Sequence, residues 1–377
     1  MTLREKIGSE ILASGPIPFS RYMELCLYDP EFGYYARLKE QFGRAGDFYT
    51  SSDVHAVFGR LLARQFEEMW RALDCPNLIH LVELGPGRGL FARDVLDWSE
   101  QKFPEFFRAL HYVLAEKSGS LRSRLQTTLE HHIMRGKAEI AAGEDPQLDS
   151  GAVIVFGNEF FDAFPVEIVS PDGMLHVGRS DGKLVELFLP VAPLVDDYLD
   201  KYSVRPEPGE RIEAGLAADK AMQALANRIS RGFFVFIDYG YTREEQLVGR
   251  HRDTLMAYRR HSASANPYEA PGEQDITSHV NFTALAGAAA GHAMRVERLL
   301  TQSQFLMGIG ESNQFADAFE GCRIPQEQAK VAMQLKHLVT PGGMGETFQV
   351  MIASKNVSSA AIEKLSGLKF LHSLSHR

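Results

Sequence analysis

Three glycines and a handful of acids raise the first chemical question. Glu83 closes the apolar run in "LVELGPGRGLF" (81–91), and Gly85, Gly87 and Gly89 follow at alternate positions before a helical pattern begins. Glycines at such a turn leave bare main chain for a ligand to lie against, and the start of the next helix adds N–H donors and a partial positive charge. With 32 glycines and 49 acids in 377 residues, an acid followed by three alternating glycines arises by chance roughly 0.03 times in such a chain. The dinucleotide fingerprint G-x-G-x-x-G needs glycine or alanine where Leu90 stands, which disfavours a nicotinamide cofactor. A second cluster is "GNEFFDAFP" (157–165), where Asn158 and Glu159 leave an apolar run and Asp162 follows three residues on. If that turn is helical, the two acids lie on one side and can converge on a cationic group. Phe160, Phe161 and Phe164 then either wall a cleft for it or pack as core.

The elements that must position these residues follow from periodicity. "LIHLVEL" (78–84), "HYVLAE" (111–116), "AVIVFGN" (152–158), "GFFVFID" (232–238) and "TFQVMIAS" (347–354) are short apolar runs, as in strands buried on both faces. Helical patterns follow the first two, in "GLFARDVLDWSEQKF" and "GSLRSRLQTTLEHH". This alternation predicts an α/β fold with a doubly wound, mainly parallel sheet, whose ligands bind at the carboxyl ends of the strands. Residues 166–189 alternate around "PDG" and "SDG", which predicts inserted antiparallel hairpins. The domain reading is an N-terminal helical extension over 1–75, packing on a catalytic domain over 76–377 with insertions near 166–230 and 241–282. Residues 259–282 read as a long irregular loop, functional or merely exposed. Within it, His279 is either a base near an acceptor or a residue that braces the loop. Asp238, Tyr239 and Gly240 end a strand at the ligand edge, as a substrate-side hinge or a strand stop.

Composition excludes several classes. The net charge of −9 argues against a general nucleic-acid binder. Three scattered cysteines suggest neither a disulfide framework nor a zinc site, and 13 histidines without a metal-like cluster suggest no metal. No apolar run has the length of a membrane span, and the start lacks both the apolar core of a signal peptide and an Arg/Ser-rich presequence. These features predict a cytoplasmic bacterial protein. The sequence sets no oligomeric state, and a homodimer is compatible with it.

The pattern E-x-G-x-G-x-G resembles motif I of class I S-adenosylmethionine-dependent methyltransferases, with a Rossmann-like sheet. Six blocks in order, "AGDFYTSSDVHAVFG", "VELGPGRG", "GNEFFDAFPVE", "FIDYGY", "PGEQDITSHVNF" and "SQFLMGIG", resemble the MidA family. Its mitochondrial members are complex I assembly factors with protein-arginine methyltransferase activity. The resemblance spans residues 8–355 and departs from the family at Asp53, His55 and "EKSG". It implies S-adenosyl-L-methionine as cofactor and an arginine of a protein substrate as acceptor, by analogy a respiratory NADH dehydrogenase subunit. Glu116 takes the place of the acid that holds the ribose hydroxyls. Gly46, Asp47 and Thr50, by spacing alone no more than a helix cap, become cofactor-binding residues with Glu83, Gly85, Gly87, Gly89 and Asn158. Glu159 and Asp162 become the catalytic acids, with Phe160, Phe161, Tyr239 and His279 on the substrate side. Two other readings stay open: a small-molecule O- or N-methyltransferase, and a non-catalytic cofactor-binding assembly or chaperone module.

Overall fold

A computed structural model describes residues 2–36, 56–143, 151–259, 262–264 and 266–370. Contacts divide the chain into two compact units, one of Met1–Phe48, Phe161–Leu225 and Tyr239–His292, the other of Tyr49–Phe160, Ala226–Asp238 and Ala293–Arg377. The helix Ala56–Ala72 lies within the second unit, and residues 2–36 belong with the two insertions.

The second unit carries the main sheet. Its strands are β1 (Ile79–Leu84), β2 (Leu110–Glu116), β3 (Ala138–Ala142), β4 (Ala152–Asn158), β5 (Arg231–Tyr241), β6 (Arg295–Thr301) and β7 (Phe348–Lys355). They lie in the order β6-β7-β5-β4-β1-β2-β3. β1 pairs in parallel with β2 and β4, β2 with β3, and β4 with β5, while β6 runs antiparallel to β7. The order reverses direction between β1 and β4, and such a reversal leaves a crevice at the carboxyl ends of the two strands. The five expected strands are β1, β2, β4, β5 and β7. β3 and β6, the two ends of the order, carry no comparable apolar run.

Helices cover the sheet with apolar stripes. Phe91, Ala92, Val95 and Leu96 of Leu90–Lys102 are buried at helical spacing, as are Phe58, Leu62 and Phe66 of Ala56–Ala72. Both helices meet on β4: Phe91 stacks on Phe156 with ring centroids 4.5 Å apart, and Phe66 meets the same ring edge-on at 5.6 Å.

In the first unit the inserted hairpins form as their turns require. Glu167–Ser170 pairs antiparallel with Gly173–Ser180, and the latter with Lys183–Leu189. Asp181 and Gly182 both have positive φ, +49° and +78°, as a two-residue hairpin turn with right-handed strand twist demands. Ile17 and Pro18 extend this sheet by pairing with Val177 and His176. The helices Leu3–Ser14 and Phe19–Tyr28 share one core with it, in which Ile7, Phe19, Tyr22, Met23, Leu27 and Leu175 are fully buried. Arg4 ties the first helix to the second insertion, donating through Nη2 to the carbonyls of Tyr268 and Glu269 at 2.7 and 3.1 Å. Within residues 259–282 short strands punctuate turns and bends, which occupy 267–274. Asp275–Thr277 pairs with Met256–Arg259, and Val280 and Asn281 pair in parallel with Gly240 and Tyr241 at the end of β5. Buried Gln274, Asp275 and Ile276 fix that segment, so its polar composition marks internal hydrogen bonding rather than exposure.

Candidate active site

Register alone assembles the site in the second unit. Leu84 faces Ala115 on one side and Gly157 on the other, and Asn158 faces Ile237. The next residues, Gly85, Glu116, Asn158 and Ile237, therefore form one row at the carboxyl edge, with neighbours about 4.8 Å apart. The crevice of the strand-order reversal lies between Gly85 and Asn158.

Gly85, Gly87 and Gly89 have φ of +62°, +54° and +74°, a region that side-chain-bearing residues occupy only with strain. Gly85 donates its N–H to the Ala115 carbonyl at 3.1 Å, so the first residue of the turn still belongs to the sheet. A Cβ on Gly85 would sit 3.2 Å from the Phe160 ring, and one on Gly89 2.7 Å from Leu125. The glycine turn and the Asn158–Phe160 corner are thus in direct contact. Gly89 caps Leu90–Lys102 without a side-chain hydrogen bond, so main-chain N–H groups form the helix start.

Glu83 points inward. Its carboxyl is buried, accepts a hydrogen bond from the Tyr112 hydroxyl at 2.7 Å, and is pushed by burial up to about 8. It braces β1 against β2 beneath the turn. Glu116, buried at the end of β2, accepts from the Ser118 N–H at 2.7 Å, while Arg122 donates to the carbonyls of Glu116 and Lys117 and holds the bend.

At the opposite wall the chain turns sharply. Glu159 has φ +52°, and its N–H donates to the Ile237 carbonyl at 2.8 Å. The Phe160 N–H donates to buried Asp238 at 3.1 Å, so β5 holds the corner at two successive amides. Asn158 donates from Nδ2 to Glu159 Oε1 at 2.9 Å, which orients the Glu159 carboxylate. Asn158 Oδ1 is buried and has no hydrogen-bond partner among the described residues. A buried acceptor left unmatched beside an open glycine turn suits a ligand that brings its own donor.

The remaining predicted residues fall in the first unit or outside the described residues. No helix forms over 159–165, so the expected one-sided pairing of Glu159 with Asp162 lacks its geometric basis. Asp162 lies in the first unit, where burial pushes its carboxyl up to about 7 and its carbonyl accepts from the Ser278 N–H. Phe161 packs on Phe164, 5.4 Å between centroids. Tyr239 stacks on His279 at 6.3 Å, and His279 Nδ1 lies 3.1 Å from His251 Nδ1. Burial, and then His251, lower the His279 imidazole to about 4, so it is neutral at physiological pH. Gly46, Asp47 and Thr50 lie outside the described residues. The first unit also contains a cavity that sequence reasoning missed, lined by Glu213, Asp219, Tyr198, Tyr241, His279 and Asn281 among others. Glu213 stands in a three-residue strand and Asp219 in an ordinary helical stretch, neither with a motif. Among the described residues no three His, Cys, Asp or Glu side chains group as a metal site, and no helix is long and apolar enough to cross a membrane.

Comparison with known proteins shows the family of the chain. The profile of the family described as "Putative S-adenosyl-L-methionine-dependent methyltransferase" matches residues 61–299, well over half of the chain. The chain belongs to this family. Its likeness extends to the protein arginine methyltransferase NDUFAF7 homolog, mitochondrial, of Drosophila melanogaster, 28% identical over 391 residues, covering 96% of this chain and 87% of that protein. The Danio rerio protein arginine methyltransferase NDUFAF7, mitochondrial, is 27% identical, covering 92% and 86%. A crystal structure from Burkholderia thailandensis bound to S-adenosyl-homocysteine superposes with a TM-score of 0.81 at 28% identity, covering 97% of this chain and 94% of that one. The MidA resemblance, the Rossmann-like fold and the S-adenosylmethionine dependence read from the six blocks therefore stand. The Gly85 turn, the helix start and the unmatched Asn158 oxygen fit such a cofactor.

Proposed function

We propose that the chain methylates an arginine side chain of a protein, with Glu159 as the acid that receives the guanidinium. The observation that carries this reading is the corner itself: a carboxylate on a positive-φ residue, oriented by Asn158 and in van der Waals reach, through Phe160, of the cofactor turn. When bound, the cofactor supplies a methyl group on a sulfonium. Gly85, Gly87 and Gly89 would hold its methionine end, Glu116 its ribose hydroxyls, and Asn158 Oδ1 would accept from one of its donors. Glu83 supports the turn from below through Tyr112.

The demand on the chain is alignment and charge. A guanidinium is cationic at any physiological pH and must approach a second cation. A carboxylate offsets that repulsion, and its bidentate fork fixes the attacking nitrogen in line. Strain at Glu159 and its two-amide anchorage keep the carboxylate from following a retreating ligand. The proton released after transfer leaves from the methylated guanidinium to water, so no base is required and neutral His279 is assigned none. The reading rests on Glu159, and Asp162 is assigned to shaping its own turn. Protein relatives named for arginine methylation favour a polypeptide acceptor, and a respiratory NADH dehydrogenase subunit is the first to try, in a bacterial cytoplasmic setting.

The test is mass spectrometry of arginine methylation in cells with and without the protein, joined to transfer of labelled methyl into protein by the purified chain. Glu159→Gln should retain S-adenosyl-homocysteine binding within about threefold while losing at least about a hundredfold in transfer, as removal of a charge-offsetting group does. Label appearing only in small molecules, or full activity in Glu159→Gln, refutes the proposal.

A further inference from the structure

The cavity in the first unit has a chemistry that the methyl-transfer reading leaves unused. It measures about 20 Å³, room for about one water-sized group. Glu213 is 2% exposed. Its Oε1 accepts from the Thr254 and Leu255 N–H groups at 2.7 and 3.2 Å, whereas Oε2 has no partner. Asp219, 8% exposed, has Oδ1 without a partner, and so has the hydroxyl of fully buried Tyr241. All three residues line the cavity, together with Tyr198, Asn281 and His279. No Lys or Arg is among the lining residues, so two carboxyls share a small buried space with no protein cation to balance them.

Three occupants are chemically reasonable, and size and charge choose among them. A guanidinium, with four heavy atoms in a plane, exceeds the space. A small divalent ion demands a firm shell and gives up its waters reluctantly, and this space has no room for the waters that would complete it. A single water fits and can donate to both carboxyl oxygens while accepting from the Tyr241 hydroxyl, but it balances no charge once the carboxyls ionise. A monovalent ion the size of water meets all three and supplies the missing charge.

We propose that this cavity is a binding site for one monovalent cation of potassium or ammonium size, held between Glu213 Oε2, Asp219 Oδ1 and the Tyr241 hydroxyl. Every lining residue lies in the first unit. Burial pushes Glu213 and Asp219 up to about 7, so the ion binds in competition with protons and is held best above neutral pH. The other titratable groups facing the cavity do not share this titration. Tyr198 and Tyr241 are raised by burial and stay protonated, and His279 is neutral.

The test is thermal unfolding of the whole chain near pH 8, with potassium chloride exchanged for tetramethylammonium chloride at constant ionic strength. The expected result is a midpoint that rises with potassium and saturates, since a ligand that binds only the folded state stabilises it by mass action. Asp219→Asn should shift the half-saturating potassium concentration at least about tenfold, each lost charge interaction being worth a factor of that order. Glu213→Gln should do the same, and Asp219→Asn serves alone should the Glu213 variant not fold. Thallium-soaked crystals of the unaltered chain give a readout independent of any variant, an anomalous peak between the two carboxyls. Equal midpoints in the two salts, an unaltered potassium response in a folded variant, or a thallium-soaked site without a peak would each overturn the proposal in favour of an ordered water.

Discussion

At the scale of single residues, the glycine turn was legible because its requirement is local. A main chain at positive φ selects glycine wherever it occurs, and the spacing 85, 87, 89 repeats that requirement three times. Gly85→Ala should therefore do more than remove flexibility. The new methyl group meets the Phe160 ring at 3.2 Å in a backbone conformation that costs a non-glycine residue roughly 1–2 kcal/mol. Binding of S-adenosyl-homocysteine, measured by calorimetry, should weaken at least about tenfold, the equivalent of ~1.4 kcal/mol. Unchanged affinity would show that the turn is not the cradle. The acids divide differently. Glu159 stands out in the sequence by its place after an apolar run. Glu213 and Asp219 do not, because what distinguishes them is the absence of a partner, a property of the folded surroundings that no spacing records.

Elements were legible in proportion to their burial on both faces. β1, β2, β4, β5 and β7 lie inside the strand order and read as continuous apolar runs, whereas β3, "AEIAA", and β6, "RVERLLT", end it and mix charge into short segments. The first two helices were visible as helices but not as partners of the hairpins, since pairing over such a separation leaves no local trace. That pairing makes them structural. Phe19, Tyr22, Met23, Leu25 and Leu27 are all at most 4% exposed, and at about 1.5–3 kcal/mol for each large apolar side chain their removal costs on the order of 10 kcal/mol. A chain lacking residues 1–30 should be recovered insoluble, or be cleaved at once by trypsin within 161–225 and 239–292. Soluble, protease-resistant and cofactor-binding protein from that truncation would make the segment a dispensable extension after all.

Across the whole molecule, buried carboxyls set the response to pH. Burial raises Glu83 to about 8, Asp162, Glu213 and Asp219 to about 7, and Asp94 to about 6. The folded chain keeps these protons where the unfolded chain, with carboxyls near about 4, has released them. Their contribution to stability is complete below that value and is lost as pH rises through 6, 7 and 8. In tetramethylammonium buffer the thermal midpoint should fall between about pH 5.5 and about pH 8.5, and a flat or rising profile would contradict the burial of these groups. The division into two units drawn from interleaved segments has its own consequence for birth on the ribosome. Arg4 finds Tyr268 across 264 residues, so at roughly 5–20 residues per second the first helix waits on the order of 13–50 s for its partner. Its apolar face is exposed until Leu175 and Val177 of the hairpin that shares its core have emerged, and Ala257 and Ile276 complete that core only later. Nascent chains of this protein should therefore lean on holding chaperones from the outset, and slowed translation before residue 268 should lower the yield of soluble product.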